Sequence, residues 1–164
     1  MKLHNSLTKK AEEFTPQNSH ISIYSCGPTV YNNLTIGNLS AFIYADLLRR
    51  VLAVTFPDSS VTHVMNVTDV DDKTIRDSKV AYPDEDPMQA LIKFTRHYED
   101  VFMNDMAKVG NDLSAFSFIR ATESIKEMQD LISELYANNI AYLAEDGVYF
   151  SIDAYQKAGK KYGQ

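Results

Sequence analysis

The chain has 164 residues and carries 16 Lys and Arg against 22 Asp and Glu, a formal charge of −6 at pH 7. That length fits one domain or a core unit with an insertion, and a hydrophobic fraction of 45% with ten Tyr and eight Phe supports a buried core rather than disorder. The acidic balance argues against this chain alone gripping nucleic acid by phosphate neutralisation, the single cysteine excludes an internal disulfide, and no apolar run reaches membrane-spanning length.

The opening residues, Met1-Lys2-Leu3-His4-Asn5-Ser6, lack the apolar stretch of a signal peptide, so a soluble cytoplasmic protein is expected. His20 to Cys26 alternates, with Ile21 and Ile23 on one face and Tyr24 and Cys26 on the other, and reads as a strand. Leu39 to Ala53 places Ala41, Phe42, Ala45, Leu48 and Leu52 on helical spacing and reads as a largely buried helix. Arg49 and Arg50 suit the negative end of its dipole. Pro57-Asp58-Ser59-Ser60 breaks the chain, and Val61 to Val67 reads as a second strand. Strand, buried helix and strand form a βαβ unit with parallel strands. Ligands of such units bind at the carboxyl ends of the strands, so Cys26 and Thr68 are expected over one crevice.

Further on, Asp86-Pro87 with Gln89 reads as a helix start, and Leu91, Phe94, Tyr98 and Val101 form its apolar stripe, with a stop near Gly110. A second amphipathic helix is expected from Ala121 to Asn138, with Ile125, Met128, Leu131, Ile132 and Leu135 inward. Ala141–Glu145 and Val148–Ile152 flank Asp146-Gly147, a hairpin signal. The chain ends in Lys160-Lys161-Tyr162-Gly163-Gln164, and no second half of a doubly wound sheet is found.

The segment from Tyr24 to Asn38 carries the most chemistry. It runs from a strand through Cys26 and a Gly-Pro turn to Gly37, at the mouth of the apolar helix. A helix N-terminus offers N–H groups and a positive dipole end to phosphate, while a thiol is a soft metal ligand. Each residue also has a plainer reading: Cys26 as a small buried hydrophobe, Gly37 as a turn or close-packing residue, and Thr35 as an N-cap. Asp69, Asp71 and Asp72 could group around magnesium, although helix capping is preferred. His63 reads as a satisfied core residue, and Lys73 and Arg76 as solvated charge.

Six blocks in order resemble the N-terminal part of a cysteinyl-tRNA synthetase, a class I aminoacyl-tRNA synthetase. They are Leu7-Thr8 with Glu12-Glu13-Phe14; Cys26-Gly27-Pro28-Thr29-Val30-Tyr31; Thr35-Ile36-Gly37-Asn38 in place of the HIGH signature; Met65-Asn66-Val67-Thr68-Asp69-Val70-Asp71-Asp72-Lys73; Arg120-Ala121-Thr122-Glu123 with Ile125; and Ala141-Tyr142. The resemblance implies an α/β fold. Residues 1–80 would be the first half of a Rossmann-like (HUP-type) nucleotide-binding parallel sheet. Residues 81–164 would be a helical insertion, the connective peptide, with a β-hairpin. It implies ATP-dependent activation of cysteine to cysteinyl-adenylate and transfer to tRNA-Cys by a monomeric enzyme, with ATP and magnesium as substrate.

The resemblance assigns Thr35, Ile36, Gly37 and Asn38 to ATP, with Thr35 and Asn38 catalytic. Cys26, Gly27, Thr29 and Thr68 fall to the cysteine pocket, and Cys26 to a zinc ion whose other ligands lie outside this chain. Two departures bear on this. Thr35 stands where the first signature His belongs and Asn38 where the second does. Loss of one donor aimed at developing charge costs roughly 3 kcal/mol of barrier. Ile119 replaces the usual proline before Arg120. The KMSKS loop and anticodon-binding domain are expected beyond Gln164, so the isolated chain is expected to be inactive. Two alternatives stand beside this reading: a degenerate, non-enzymatic paralogue that binds a nucleotide or partner, and a cysteine ligase with a small-amine acceptor, as in mycothiol synthesis.

Overall fold

The computed structural model describes residues 1–163. Contacts divide the chain into two compact units, residues 1–2 with 13–123, and residues 3–12 with 124–164. A two-stranded sheet of β1 (Lys2–Asn5) and β2 (Lys10–Glu13) opens the chain. These strands escape the sequence reading because they bury nothing fully and so carry no alternating apolar signal. Polar contacts knit the turn instead: Asn5 Nδ2 donates to Glu12 Oε2 at 2.9 Å, and the Thr8 hydroxyl donates to Glu12 Oε1.

The first unit holds β3 (His20–Ser25), α1 (Ile36–Thr55), β4 (Ser60–Val67), α2 (Asp72–Ala81), α3 (Pro87–Lys108) and β5 (Phe116–Arg120). The expected βαβ unit is present: β3 and β4 pair in parallel from His20↔Ser60 to Ser25↔Met65. β4 is central and pairs in parallel with β5, from His63↔Phe116 to Val67↔Arg120. The third strand lies beyond residue 80 and follows a single 3-10 turn at Leu113–Ala115.

Parallel register puts Ser25, Met65 and Phe118 on one face of the sheet, and Tyr24, Val64 and Ser117 on the other. Helices cover the first face. Phe42 of α1 and Phe102 and Met106 of α3 close over Met65 and Phe116 in one buried cluster. Phe42 and Phe102 meet edge to face at 5.3 Å, a preferred aromatic geometry.

Helix α1 is less buried than its pattern implied. Leu39, Phe42 and Leu52 are buried, but Ile43, Tyr44, Leu47, Val51 and Val54 are exposed. The helix has one sheet face to pack against, so only one side of an all-round apolar helix is covered. Its arginines also act differently from expectation. Arg49 and Arg50 donate through Nε to the two oxygens of buried Asp46, each at 2.8 Å, and Arg50 Nη2 reaches Gly110 O at 2.7 Å. Two guanidiniums on one carboxylate satisfy a charge that would be costly to bury alone.

Helix α3 starts as read: Asp86 Oδ1 accepts from Met88 and Gln89 N–H at 3.0 and 3.1 Å, and Pro87 occupies the first position. It ends at Lys108, with Gly110 at φ +87°. Helix α2 is capped by Asp71, whose Oδ1 accepts from Thr74 N–H at 2.9 Å.

The second unit contains α4 (Ile125–Ala137), β6 (Ala141–Ala144), β7 (Gly147–Phe150) and α5 (Ile152–Lys157). The helix read from Ala121 begins as a 3-10 turn at Ala121–Ser124. The inward stripe of α4 is not inward: Ile125, Met128, Leu131 and Ile132 are exposed, Leu131 at 57%. Amphipathic spacing marks a face able to be buried, and burial needs a partner layer. The hairpin forms, with Tyr142 stacked on Tyr149 at 5.8 Å. Its loop is Glu145-Asp146, since Gly147 already pairs with Ala144 in β7. Gly147 does not have positive φ, so the turn does not use the left-handed freedom that the Asp-Gly signal invokes. Gln164 of the terminal lysine segment lies outside the described residues.

His63 is fully buried on β4. Its Nε2 lies 2.8 Å from Ser25 Oγ, and the ring stands 4.4 Å from Phe116. Its Nδ1 has no partner among the described residues, so this core histidine is half satisfied. Burial holds the imidazole below its ordinary value of 6.5; the Arg49 charge adds to this and Asp46 opposes it.

Two outcomes follow from these contacts. Asp71→Ala is expected to lower the free energy of unfolding by about 1 kcal/mol, read from denaturant melts. The folded state disfavours charged His63, so the unfolded chain takes up the proton first as pH falls. Stability should therefore drop on acidification below 6.5. Melts at a series of pH values should show this fall, and His63→Gln should flatten it.

Candidate functional site

The carboxyl edge of the sheet carries Cys26 after β3, Thr68 after β4 and Ala121 after β5. Beyond β3 the chain stays against β4. Thr68 N–H donates to Pro28 O at 2.9 Å, and Val30 N–H donates to Thr68 O at 3.2 Å, so Thr29 and Thr68 form one further parallel bridge. Cys26 is exposed, and its thiol lies 3.8 Å from Gly27 O.

Gly27 is fitted by contact rather than by backbone angle. A Cβ at this position would lie 1.7 Å from Asn66 O, so no other residue fits while β4 keeps its course. Gly27 N–H donates to Asn66 Oδ1 at 2.9 Å, and Asn66 Nδ2 donates to Thr68 Oγ1 at 3.1 Å. Asn66 was missed as a site residue, although a polar amide between Met65 and Val67 in an apolar strand is itself a signal.

At the mouth of α1, Thr35 and Asn38 form a reciprocal cap. Asn38 N–H donates to Thr35 Oγ1 at 3.3 Å and Thr35 N–H donates to Asn38 Oδ1 at 3.1 Å. The Thr35 hydroxyl gives its proton to Asn38 Oδ1 at 2.7 Å. The N–H groups of Ile36 and Gly37 have no acceptor within the helix. Gly37 has neither positive φ nor crowding: a Cβ there would be 3.6 Å from Thr35 Oγ1. Close packing is thus no reason for its missing side chain.

A cavity of about 340 Å³ lies between this mouth and the loop after β3, lined in part by Gly27, Thr29, Tyr31, Thr35, Asn38 and Lys73. Cys26, Ile36, Gly37 and Thr68 do not line it. Lys73, read from the sequence as solvated charge, stands at its rim with Nζ 4.9 Å from the centre of the Tyr31 ring. That is a cation in the first turn of α2, a position the helix dipole disfavours.

The three aspartates do not form a metal site. Asp69 is buried and accepts from Thr122 N–H at 3.0 Å and Thr122 Oγ1 at 2.5 Å. Asp71 caps α2 and Asp72 sits in its first turn.

A family model described as the class I (C) tRNA synthetase catalytic domain matches residues 13–164. The chain belongs to this synthetase family. Among its relatives, the cysteine–tRNA ligase of Leptospira interrogans serogroup Icterohaemorrhagiae serovar Lai is 38% identical over 161 residues, covering 98% of this chain and 32% of that protein. That of Brachyspira hyodysenteriae is 40% identical over 158 residues, 96% of this chain and 31% of the relative. That of Chlamydia muridarum is 38% identical over 158 residues, again 96% and 31%. The chain thus spans about a third of the length of the curated relatives it matches. Its parallel sheet and covering helices fit the Rossmann-like catalytic fold of a class I synthetase, with the β6–β7 hairpin as an addition.

The zinc that the resemblance implies finds no complete site among the described residues. No group of three His, Cys, Asp or Glu among the described residues could hold a metal ion. Cys26 is a single donor where a catalytic zinc takes three protein ligands. No helix among the described residues is long and apolar enough to cross a membrane.

The two glycines at this edge should respond oppositely to alanine. Gly27→Ala is expected to cost at least about 2 kcal/mol of stability through its clash with the β4 backbone. Gly37→Ala should be neutral or stabilising by up to about 1 kcal/mol, as a helical Gly with open surroundings. Thermal melts of the two variants check the contrast.

Proposed function

We propose that this chain is the amino-terminal catalytic part of a cysteine–tRNA ligase. The observation that carries the reading is the junction of the Cys26–Val30 segment with Thr68, beside a capped helix mouth and a cavity, in a chain of this synthetase family. The substrate carboxylate attacks the α-phosphorus of ATP, forming cysteinyl-adenylate and releasing pyrophosphate. The terminal ribose hydroxyl of tRNA-Cys then attacks the activated carbonyl and AMP leaves. Residues 1–80 supply the nucleotide-binding half, and residues 81–164 the insertion, which returns β5 to the sheet.

In this reading Cys26, Gly27, Thr29 and Thr68 form the wall against the amino acid. Cys26 would give one ligand to a zinc ion, with the others drawn from outside the described residues. The mouth of α1, Thr35-Ile36-Gly37-Asn38, faces the phosphates of magnesium-bound ATP. The uncrowded Gly37 supports close approach of that chain, and helix N–H groups with the dipole favour its charge. Thr35 and Asn38 replace the charged donors of the family pattern. The protein is read as a cytoplasmic monomer with no membrane contact.

One observation favours a second reading, a non-enzymatic relative. The Thr35 hydroxyl proton is already given to Asn38, which leaves the cap poor in donors for a developing charge. Cysteine-dependent ATP–pyrophosphate exchange by the full-length protein separates the two. Exchange with cysteine and not serine is expected, and its absence would sink the ligase reading. The 164 residues alone should charge no tRNA, because catalysis here depends on positioning both substrates at once.

A further inference from the structure

Asn66 stands on the face of β4 opposite the buried Met65 and Val67. Its side chain makes three hydrogen bonds, all at the carboxyl edge. Gly27 N–H and the Tyr24 hydroxyl donate to Oδ1 at 2.9 and 3.0 Å, and Nδ2 donates to Thr68 Oγ1 at 3.1 Å. A backbone N–H can only donate, so its partner is the amide oxygen and the orientation of the amide is settled. The NH₂ group therefore faces Thr68. A hydroxyl has one proton and two lone pairs. Asn66 occupies one lone pair and offers nothing to accept the proton.

Strand pairing does not need these bonds. Thr68 N–H to Pro28 O and Val30 N–H to Thr68 O already hold the backbones together. An apolar β-branched residue would suit the strand better than an amide. What the Asn66 side chain alone determines is the set of the Cys26–Gly27 peptide and the rotor of Thr68.

We propose that Asn66 is a positioning residue, which locks the Cys26–Gly27 peptide to Thr68 and keeps the Thr68 hydroxyl as a donor to the bound amino acid. This rests on the cysteine-activation reading above. Asn66→Asp is the informative change, since it keeps an acceptor for Gly27 N–H but replaces the donor facing Thr68 with an acceptor. The Thr68 proton is then drawn away from the ligand.

The test is cysteine-dependent ATP–pyrophosphate exchange by the full-length protein carrying this chain, with Asn66→Asp, Thr68→Val and the double variant. Asn66→Asp should raise KM for cysteine on the order of tenfold, with KM for ATP and the unfolding midpoint unmoved. In the Thr68→Val background the same change should add nothing. An unchanged KM for cysteine, or an equal rise in both backgrounds, overturns the inference. So does a fall in kcat that tracks a lowered unfolding midpoint. If Asn66→Asp fails to fold, Asn66→Ala replaces it; because it also frees Gly27 N–H, its rise in KM for cysteine should be smaller in the Thr68→Val background than alone, and an equal rise in both overturns the inference. No exchange by the unsubstituted protein overturns the underlying reading instead, and the inference with it.

Discussion

The backbone of Gly27 runs against the carbonyl of Asn66 so closely that the space of one methyl group is missing. Much of the carboxyl edge depends on this approach. It lets the chain leave β3 without leaving β4, so pairing continues through Thr29 and Thr68 past the end of the regular strand. It also brings Gly27 N–H within reach of the Asn66 amide. A loop one side chain thicker would pull Cys26 and Thr29 away from Thr68 and widen the cavity that ends at the α1 mouth. Hydrogen bonds refine this edge, but a steric vacancy permits it.

The rest of the first unit holds that edge steady. The Phe42–Phe102–Met106 cluster presses α1 and α3 onto one face of the sheet, and α1 in turn fixes where its capped N-terminus stands. Polar ties secure the ends. Asp46 gathers Arg49 and Arg50, and Arg50 reaches on to the chain after α3. Asp69, one residue beyond Thr68, binds Thr122 beyond β5. Buried Glu99 of α3 receives Arg120 at the end of β5 at 2.6 Å. Carboxylates in the interior are thus each matched by donors, as burial of charge requires.

The βαβ unit was legible because its signals are local: alternation in β3, helical spacing in α1, and a Pro-Asp break before β4. The Asp86-Pro87 helix start was legible for the same reason. β5 was not, because Phe116–Arg120 is short and becomes a strand only by pairing with β4, some fifty residues earlier in the chain. The stripe of α4 was visible, but its burial was not, since spacing says nothing about what stands opposite. At the site, the family resemblance pointed to Cys26, Gly27 and Thr68 one by one. The amide of Asn66 stands out in its apolar strand, but its partner was hidden, because Asn66 and Gly27 are 39 residues apart and meet only through the parallel register.

Under the proposed function, the β3–β4 edge and the α1 mouth act as one site for an activated amino acid. A crystal structure of the full-length protein with a non-reactive sulfamoyl analogue of cysteinyl-adenylate tests this most directly. The amino-acid end is expected against Cys26, Gly27 and Thr68, with the sulfamoyl group at the Thr35–Asn38 turn. An ordered analogue whose amino-acid end lies away from the β3–β4 edge would contradict it.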